Sequence, residues 1–232
     1  MNNDIHEKKF NHNKLIQKRV MFLLAELVFG MLVLILVSGD IKYFGAWYLG
    51  ALYLISMIAF AFGLPKHVII LRATKNKNTP TYEKIIGILM FICGYATYVV
   101  AALDHRFSWS YPLTWYMLLI AGFIFLIGMG IVLWSMIENP FFSQKVTRDQ
   151  KIQIIDKGPY GVIRHPGYLG MMTYLTVAPI ILESIFAMIP TVVLIVLFII
   201  RTHKEDHYLE EHVEGYKDYQ KRVPQKLFRT YK

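Results

Sequence analysis

Four long apolar runs dominate the chain, at residues 20–37, 47–64, 85–103 and 113–137, each set off by a polar stretch. A hydrocarbon core about 30 Å thick takes roughly 20 apolar residues per helix, so the pattern predicts four membrane-spanning helices. A fifth apolar region, residues 168–200, is interrupted by Glu183-Ser184 and contains Pro179 and Pro190. It predicts a hairpin of two short helices, each arm about 15 residues and so below the usual span. Beyond it, Arg201, Glu205, Tyr208 and Leu209 recur at spacings of three and four, which continues the last helix as a tail ending near Gly215. Tyr216 and Tyr219 then begin another short helix. The expected fold is an all-α, polytopic membrane protein of six spans, with four as the floor, and a C-terminal helical tail. Its divisions are a polar lead at 1–19, disordered or lying on the surface, a four-helix region at 20–137, and a loop, hairpin and tail at 138–232.

Composition agrees with the pattern: 55% of the 232 residues are hydrophobic and 15% aromatic, too apolar for an ordinary soluble domain. The net charge of +9 could point to nucleic acid, but its placement gives another reading. With six spans, one face collects Lys8, Lys9, Lys14, Lys18 and Arg19, then Arg72, Lys75, Lys77 and Lys84, then Lys145, Arg148, Lys151, Lys157 and Arg164, and finally the eight basic residues from Arg201 onward. The other face collects Lys42 and Arg106. Positive residues are retained in the cytoplasm, so both termini are expected there, with the basic loops facing anionic headgroups and no nucleic-acid partner. No small-residue cleavage pattern follows the first apolar run, which is read as a retained anchor. The one cysteine, Cys93, excludes an intramolecular disulfide.

Candidate chemistry concentrates in residues 158–170, where Arg164, His165 and two tyrosines, Tyr160 and Tyr168, sit at the entry to an apolar helix. Pro166 suits the first position of that helix, because its missing N–H would have had no partner there. The amides that follow can receive an anionic group. A hairpin over 166–200 returns the chain to the same membrane face, bringing Arg201 and Glu205 beside Arg164 and His165. The loop before it is nearly 30 residues long, from Glu138 to His165, and loops of that length in compact proteins are commonly functional.

The order Gly158-Pro159-Tyr160, Arg164-His165-Pro166-x-Tyr168-x-Gly170, an apolar hairpin, Arg201-x-x-x-Glu205-Asp206, then Tyr216, Tyr219 and Val223-Pro224 resembles the isoprenylcysteine carboxyl methyltransferase family and its phospholipid N-methyltransferase relatives. The resemblance covers the chain from Glu138 onward. It departs from the family's usual Glu-Glu pair at Asp206. It implies S-adenosyl-L-methionine as methyl donor, contacted by Gln153, Ile154, Ile155, Tyr160, His165, Pro166, Gly167, Tyr168 and Glu205. It also implies Arg201 facing the methyl acceptor, with Arg201 and Glu205 as the catalytic pair. The acceptor would be lipophilic, an isoprenylcysteine carboxylate, a lipid amine or a thiol, and would enter sideways from the bilayer.

Other polar residues read as structural. Glu26 lies within the first apolar run, seven residues past Arg19, and is expected to snorkel or pair with it. Asp104-His105-Arg106 offers too few ligands for a metal, and His203, His207 and His212 fit an exposed helix face. Two other functions compete. Membrane sterol reductases share a similar Arg-His-Pro block with NADPH as cofactor, and a non-enzymatic scaffold would need only the topogenic charges.

Overall fold

The computed structural model describes residues 2–66, 68–69, 81–139 and 154–228, with side chains from Lys14 onward. Among these, seven α-helices and no strand are found. They are α1 (Asn2–Ser38), α2 (Phe44–Gly63), α3 (Thr81–Phe107), α4 (Trp115–Glu138), α5 (Pro166–Ile181), α6 (Met188–His212) and α7 (Tyr216–Arg222). A single 3-10 turn, Gly158–Gly161, precedes α5.

Among the described residues, four helices are long and apolar enough to cross a membrane: Lys14–Ser38 within α1, Phe44–Gly63, Tyr82–Phe107 and Trp115–Glu138. Their exposed faces carry Phe22, Phe29, Ile55, Phe62, Phe91, Ile120 and Phe123, side chains suited to lipid. The expected fifth and sixth apolar segments do form the short hairpin, α5 and α6. At 16 residues α5 is about 24 Å long, short of the hydrocarbon thickness. Charges from Arg201 onward confine the apolar part of α6 to residues 188–200, about 20 Å. The length criterion thus meets the floor of four and leaves six unconfirmed.

The polar lead, expected as disordered or surface-lying, is instead continuous with the first span, because α1 runs unbroken from Asn2. Lysine, glutamate and glutamine are good helix formers, so an apolar helix nucleated downstream propagates into them at little cost.

α5 is gripped by the longer helices. It packs most extensively on α4, where Gly128 and Gly170 let the backbones meet. A Cβ built on Gly170 would lie 2.6 Å from the Gly128 carbonyl oxygen. The main core, around Leu34, Leu49, Ala102, Phe125, Ala178 and Ile181, joins α1 to α5. At the end of the molecule holding the α5–α6 turn, buried Asp104 accepts bonds from the Ser110 amide (2.7 Å), the Ser110 hydroxyl (2.7 Å) and the Ser184 hydroxyl. His105 lies 3.0 Å from Asp40 and stacks on Tyr43, whose hydroxyl donates to the Leu182 carbonyl. Asp104 and His105 are therefore loop ties, as expected. The candidate site occupies the opposite end.

Candidate active site at the start of α5

Pro166 opens α5 at its first position with His165 as the preceding cap residue. The chain reaches that point through Gly158, whose φ of +54° is a conformation that favours glycine. A Cβ on Gly158 would also press within 2.7 Å of the Glu138 side chain. The 3-10 turn then buries Pro159 and Tyr160 against the end of α4, and the Tyr160 hydroxyl lies 3.4 Å from the Ser135 carbonyl oxygen.

Residues 164 and 165 are held from the far side by the tail. The Arg164 amide donates to the Gln225 carbonyl (2.9 Å) and the His165 amide to the Lys226 carbonyl (3.0 Å). Tyr219 donates to the Tyr160 carbonyl at 2.7 Å. α7 is placed for this by Gly215, whose φ of +79° turns the chain sharply after α6.

Asp206 is the hub of the arrangement. Its side chain is 1% exposed, and Arg164 grips it through Nε (2.9 Å) and a terminal nitrogen (3.0 Å). His165 Nε2 lies 3.1 Å away, the Tyr216 hydroxyl donates at 2.8 Å, and Lys226 Nζ is at 3.1 Å. The remaining guanidinium nitrogen of Arg164 donates to the Val223 carbonyl at 2.6 Å. Burial by itself would raise the Asp206 carboxyl, but the hydrogen bonds from His165 and Arg164 outweigh it and hold the group well below the usual carboxylate range. Burial likewise opposes the charge on Arg164, and Asp206 more than restores it. Tyr216 is pushed up by burial and by Asp206, so it stays a hydrogen-bond donor.

Glu205, its neighbour in sequence, faces elsewhere. Consecutive helix residues point about 100° apart, so one carboxylate enters the hub and the other turns toward α5. There the Tyr168 hydroxyl donates to Glu205 at 2.5 Å. The Arg201 guanidinium lies 5.7 Å from the centroid of the Tyr168 ring, and that ring stacks beside His165 at 5.8 Å. Arg201 also pairs with Glu83, near the start of α3, at 3.7 Å. Its Nε is buried and has no hydrogen-bond partner among the described residues.

The structure thus gathers His165, Pro166, Gly167, Tyr168, Arg201 and Glu205. Ile154 is placed differently, packed with Leu209 and Val213 against the Tyr216, Tyr219 and Val223 cluster. Ile155 is half-buried beside it, and Tyr160 has its side chain under the end of α4. Gln153 lies outside the described residues. Sequence reasoning missed the hub role of Asp206, the contribution of Tyr216 and Lys226, and Glu83 altogether. A carboxylate at the head of an apolar helix was the available signal for Glu83.

A cavity of about 540 Å³ adjoins the cluster on its membrane side. Met171, Leu175 and Leu194 line it and also pack with Tyr168 and Phe198. Its walls are apolar and aromatic, with Arg19 and Glu26 as their charged side chains.

No curated protein matches the chain closely enough to count as a relative. Residues 118–211 match the model of the Isoprenylcysteine carboxyl methyltransferase (ICMT) family. That stretch runs through most of α4, all of α5 and nearly all of α6, the helices that bring Tyr168, Arg201, Glu205 and Asp206 together. Over these residues the chain is therefore similar to the isoprenylcysteine carboxyl methyltransferase family.

Proposed function

We propose that this protein is an S-adenosyl-L-methionine-dependent methyltransferase acting on a lipophilic acceptor delivered from the bilayer. The observation that carries the reading is the Tyr168, Arg201 and Glu205 cluster, inside the family-matched segment, packed through Tyr168 on Met171, Leu175 and Leu194, which also line an apolar cavity.

The residues present fit the cofactor. Its sulfonium and ammonium call for a carboxylate and for aromatic faces, which Glu205, Tyr168 and His165 offer. Its carboxylate and hydroxyl groups call for donors, which the backbone amides opening α5 after Pro166 offer. When bound, the cofactor supplies an electrophilic methyl group. The protein's own share is positional. Tyr168 fixes the Glu205 carboxylate, the Arg164–Asp206 hub fixes the start of α5, and Arg201 faces the acceptor. Such catalysis works by orienting the reactants and excluding water. The apolar part of the acceptor occupies the cavity, and the acceptor enters laterally between helices. The site end faces the cytoplasm, in keeping with the positive residues expected there.

Titration calorimetry of the purified protein with S-adenosylhomocysteine tests this, run in parallel with NADPH. Saturable binding of the nucleoside, weakened about ten-fold or more in Glu205→Ala, is expected. Arg201→Ala is expected to bind it comparably and to lose turnover. Binding of NADPH in its place would transfer the site to a reductase, and silence from both would remove the enzymatic reading.

A further inference from the structure

Arg201 is the cation beside the Tyr168 ring, and an acidic side chain already pairs with it. Glu83 reaches it at 3.7 Å with side-chain exposures of 18% for Arg201 and 5% for Glu83, so the pair is largely withdrawn from water. Attraction between charges strengthens as the surrounding dielectric falls, and a partly buried pair is not easily exchanged. Glu205 lies on the same side, held by Tyr168, whose ring is also the one nearest Arg201. Tyr82 covers the outer edge, with Lys204 Nζ 5.2 Å from its ring centroid. Glu83, Glu205 and Arg201 together carry one more negative than positive charge. If the cationic cofactor compensates Glu205, what remains for the acceptor is the Arg201–Glu83 ion pair.

We infer that Glu83 sets the charge class of the acceptor: by occupying Arg201 it suits the site to an amphiphile with an uncharged head, a hydroxyl or thiol, and disfavours a carboxylate. This rests on the methyltransferase reading and deepens it. An anionic head would have to displace Glu83 from the guanidinium and lie against Glu205, and like charges in a dry site repel strongly. An uncharged head needs one hydrogen bond and disturbs neither. Among the described residues lining the cavity, the charged ones are Arg19 and Glu26, of opposite sign. Glu83 precedes the family-matched segment, which begins at residue 118, so the family match by itself does not assign it.

The test measures equilibrium binding of tritiated dodecanol and tritiated dodecanoate, which share a tail, to the full-length protein in lipid nanodiscs, with empty nanodiscs as background. Each is measured with and without saturating S-adenosylhomocysteine, for the parent, Glu83→Gln and Glu83→Asp. Dodecanol is expected to bind the parent saturably and dodecanoate at least about ten-fold more weakly. Freeing Arg201 in Glu83→Gln should strengthen dodecanoate binding about ten-fold while leaving dodecanol unchanged, and Glu83→Asp should restore the parent's preference. A gain of affinity cannot come from misfolding. Equal binding of both probes by the parent, an unchanged preference in Glu83→Gln, or no saturable binding of either would each overturn the inference. Failure of S-adenosylhomocysteine to bind would count instead against the methyltransferase reading, and the arms without nucleoside would still decide the preference.

Discussion

Glu205 and Asp206 share one helical turn and carry opposite duties. The sequence marked both as an acidic pair and left Asp206 as a shortened substitute for glutamate. In the fold it is the deeper residue, bound by Arg164, His165, Tyr216 and Lys226. Asp206→Asn would keep the shape and remove the charge, leaving Arg164 buried without its counter-ion. Removing one partner of a buried pair costs about 3–5 kcal/mol, so a large drop in the thermal unfolding midpoint is expected, read by circular dichroism in detergent. The pH dependence has a definite sign. The folded-state affinity of Asp206 for a proton is depressed, so its contribution is fully present above the unfolded value of about 4. It is lost as pH falls further, through the lower folded value. Unfolding midpoints of the parent should therefore decline below about pH 4, and those of Asp206→Asn should lack this part of the decline. What the sequence could not show about this residue was direction, because two adjacent carboxylates differ only in which neighbours the tertiary structure sets before them.

α5 owes its position to α4. The start of α5 carries Tyr168 at the site, and about one turn into the helix the contact with α4 begins at Gly170. A Cβ at Gly170 would meet the Gly128 carbonyl at 2.6 Å and the Val132 amide nitrogen at 2.9 Å, both backbone atoms that cannot swing aside. Gly170→Ala must therefore push the helices apart, and overpacking of this kind costs about 1–3 kcal/mol. We expect a lowered unfolding midpoint together with weaker S-adenosylhomocysteine binding, since Tyr168 moves with the helix. By contrast, Gly94→Ala in α3, where an added Cβ meets nothing, should leave both unchanged. Helix limits were largely legible: Pro166 at the start of α5, the end of the tail helix near Gly215, and the new helix at Tyr216 all follow from local backbone preferences. The closeness of Gly128 to Gly170 was not, because no spacing along one helix names the face of another.

Across the whole molecule, the tail acts as part of the site. Its Leu227 side chain packs in one cluster with Tyr168, and its carbonyls at Val223, Gln225 and Lys226 receive Arg164 and His165. Deleting residues 214–232 should leave the four long apolar helices able to insert while abolishing S-adenosylhomocysteine binding. Gel filtration in detergent would report the first and calorimetry the second. Nucleoside binding retained by the truncated chain would show that the hub is dispensable. The resemblance read from the C-terminal motif was supported by the family match, whereas Glu83 escaped because it arrives from a helix outside that motif.

The sequence by itself determined the solvent, the helices and the chemistry on offer. Apolar run lengths dictate bilayer residence, prolines and glycines punctuate the backbone, and Arg164, His165, Arg201 and Glu205 mark where charge enters an apolar setting. These are local properties, decided within a few residues along the chain. Only the tertiary structure decided that Asp206 anchors Arg164, that Tyr168 holds Glu205, that Glu83 pairs with Arg201, and that Met171, Leu175 and Leu194 both pack with Tyr168 and line a cavity. Those outcomes depend on distances between segments tens of residues apart, set by how helix faces pack, and no local pattern encodes them.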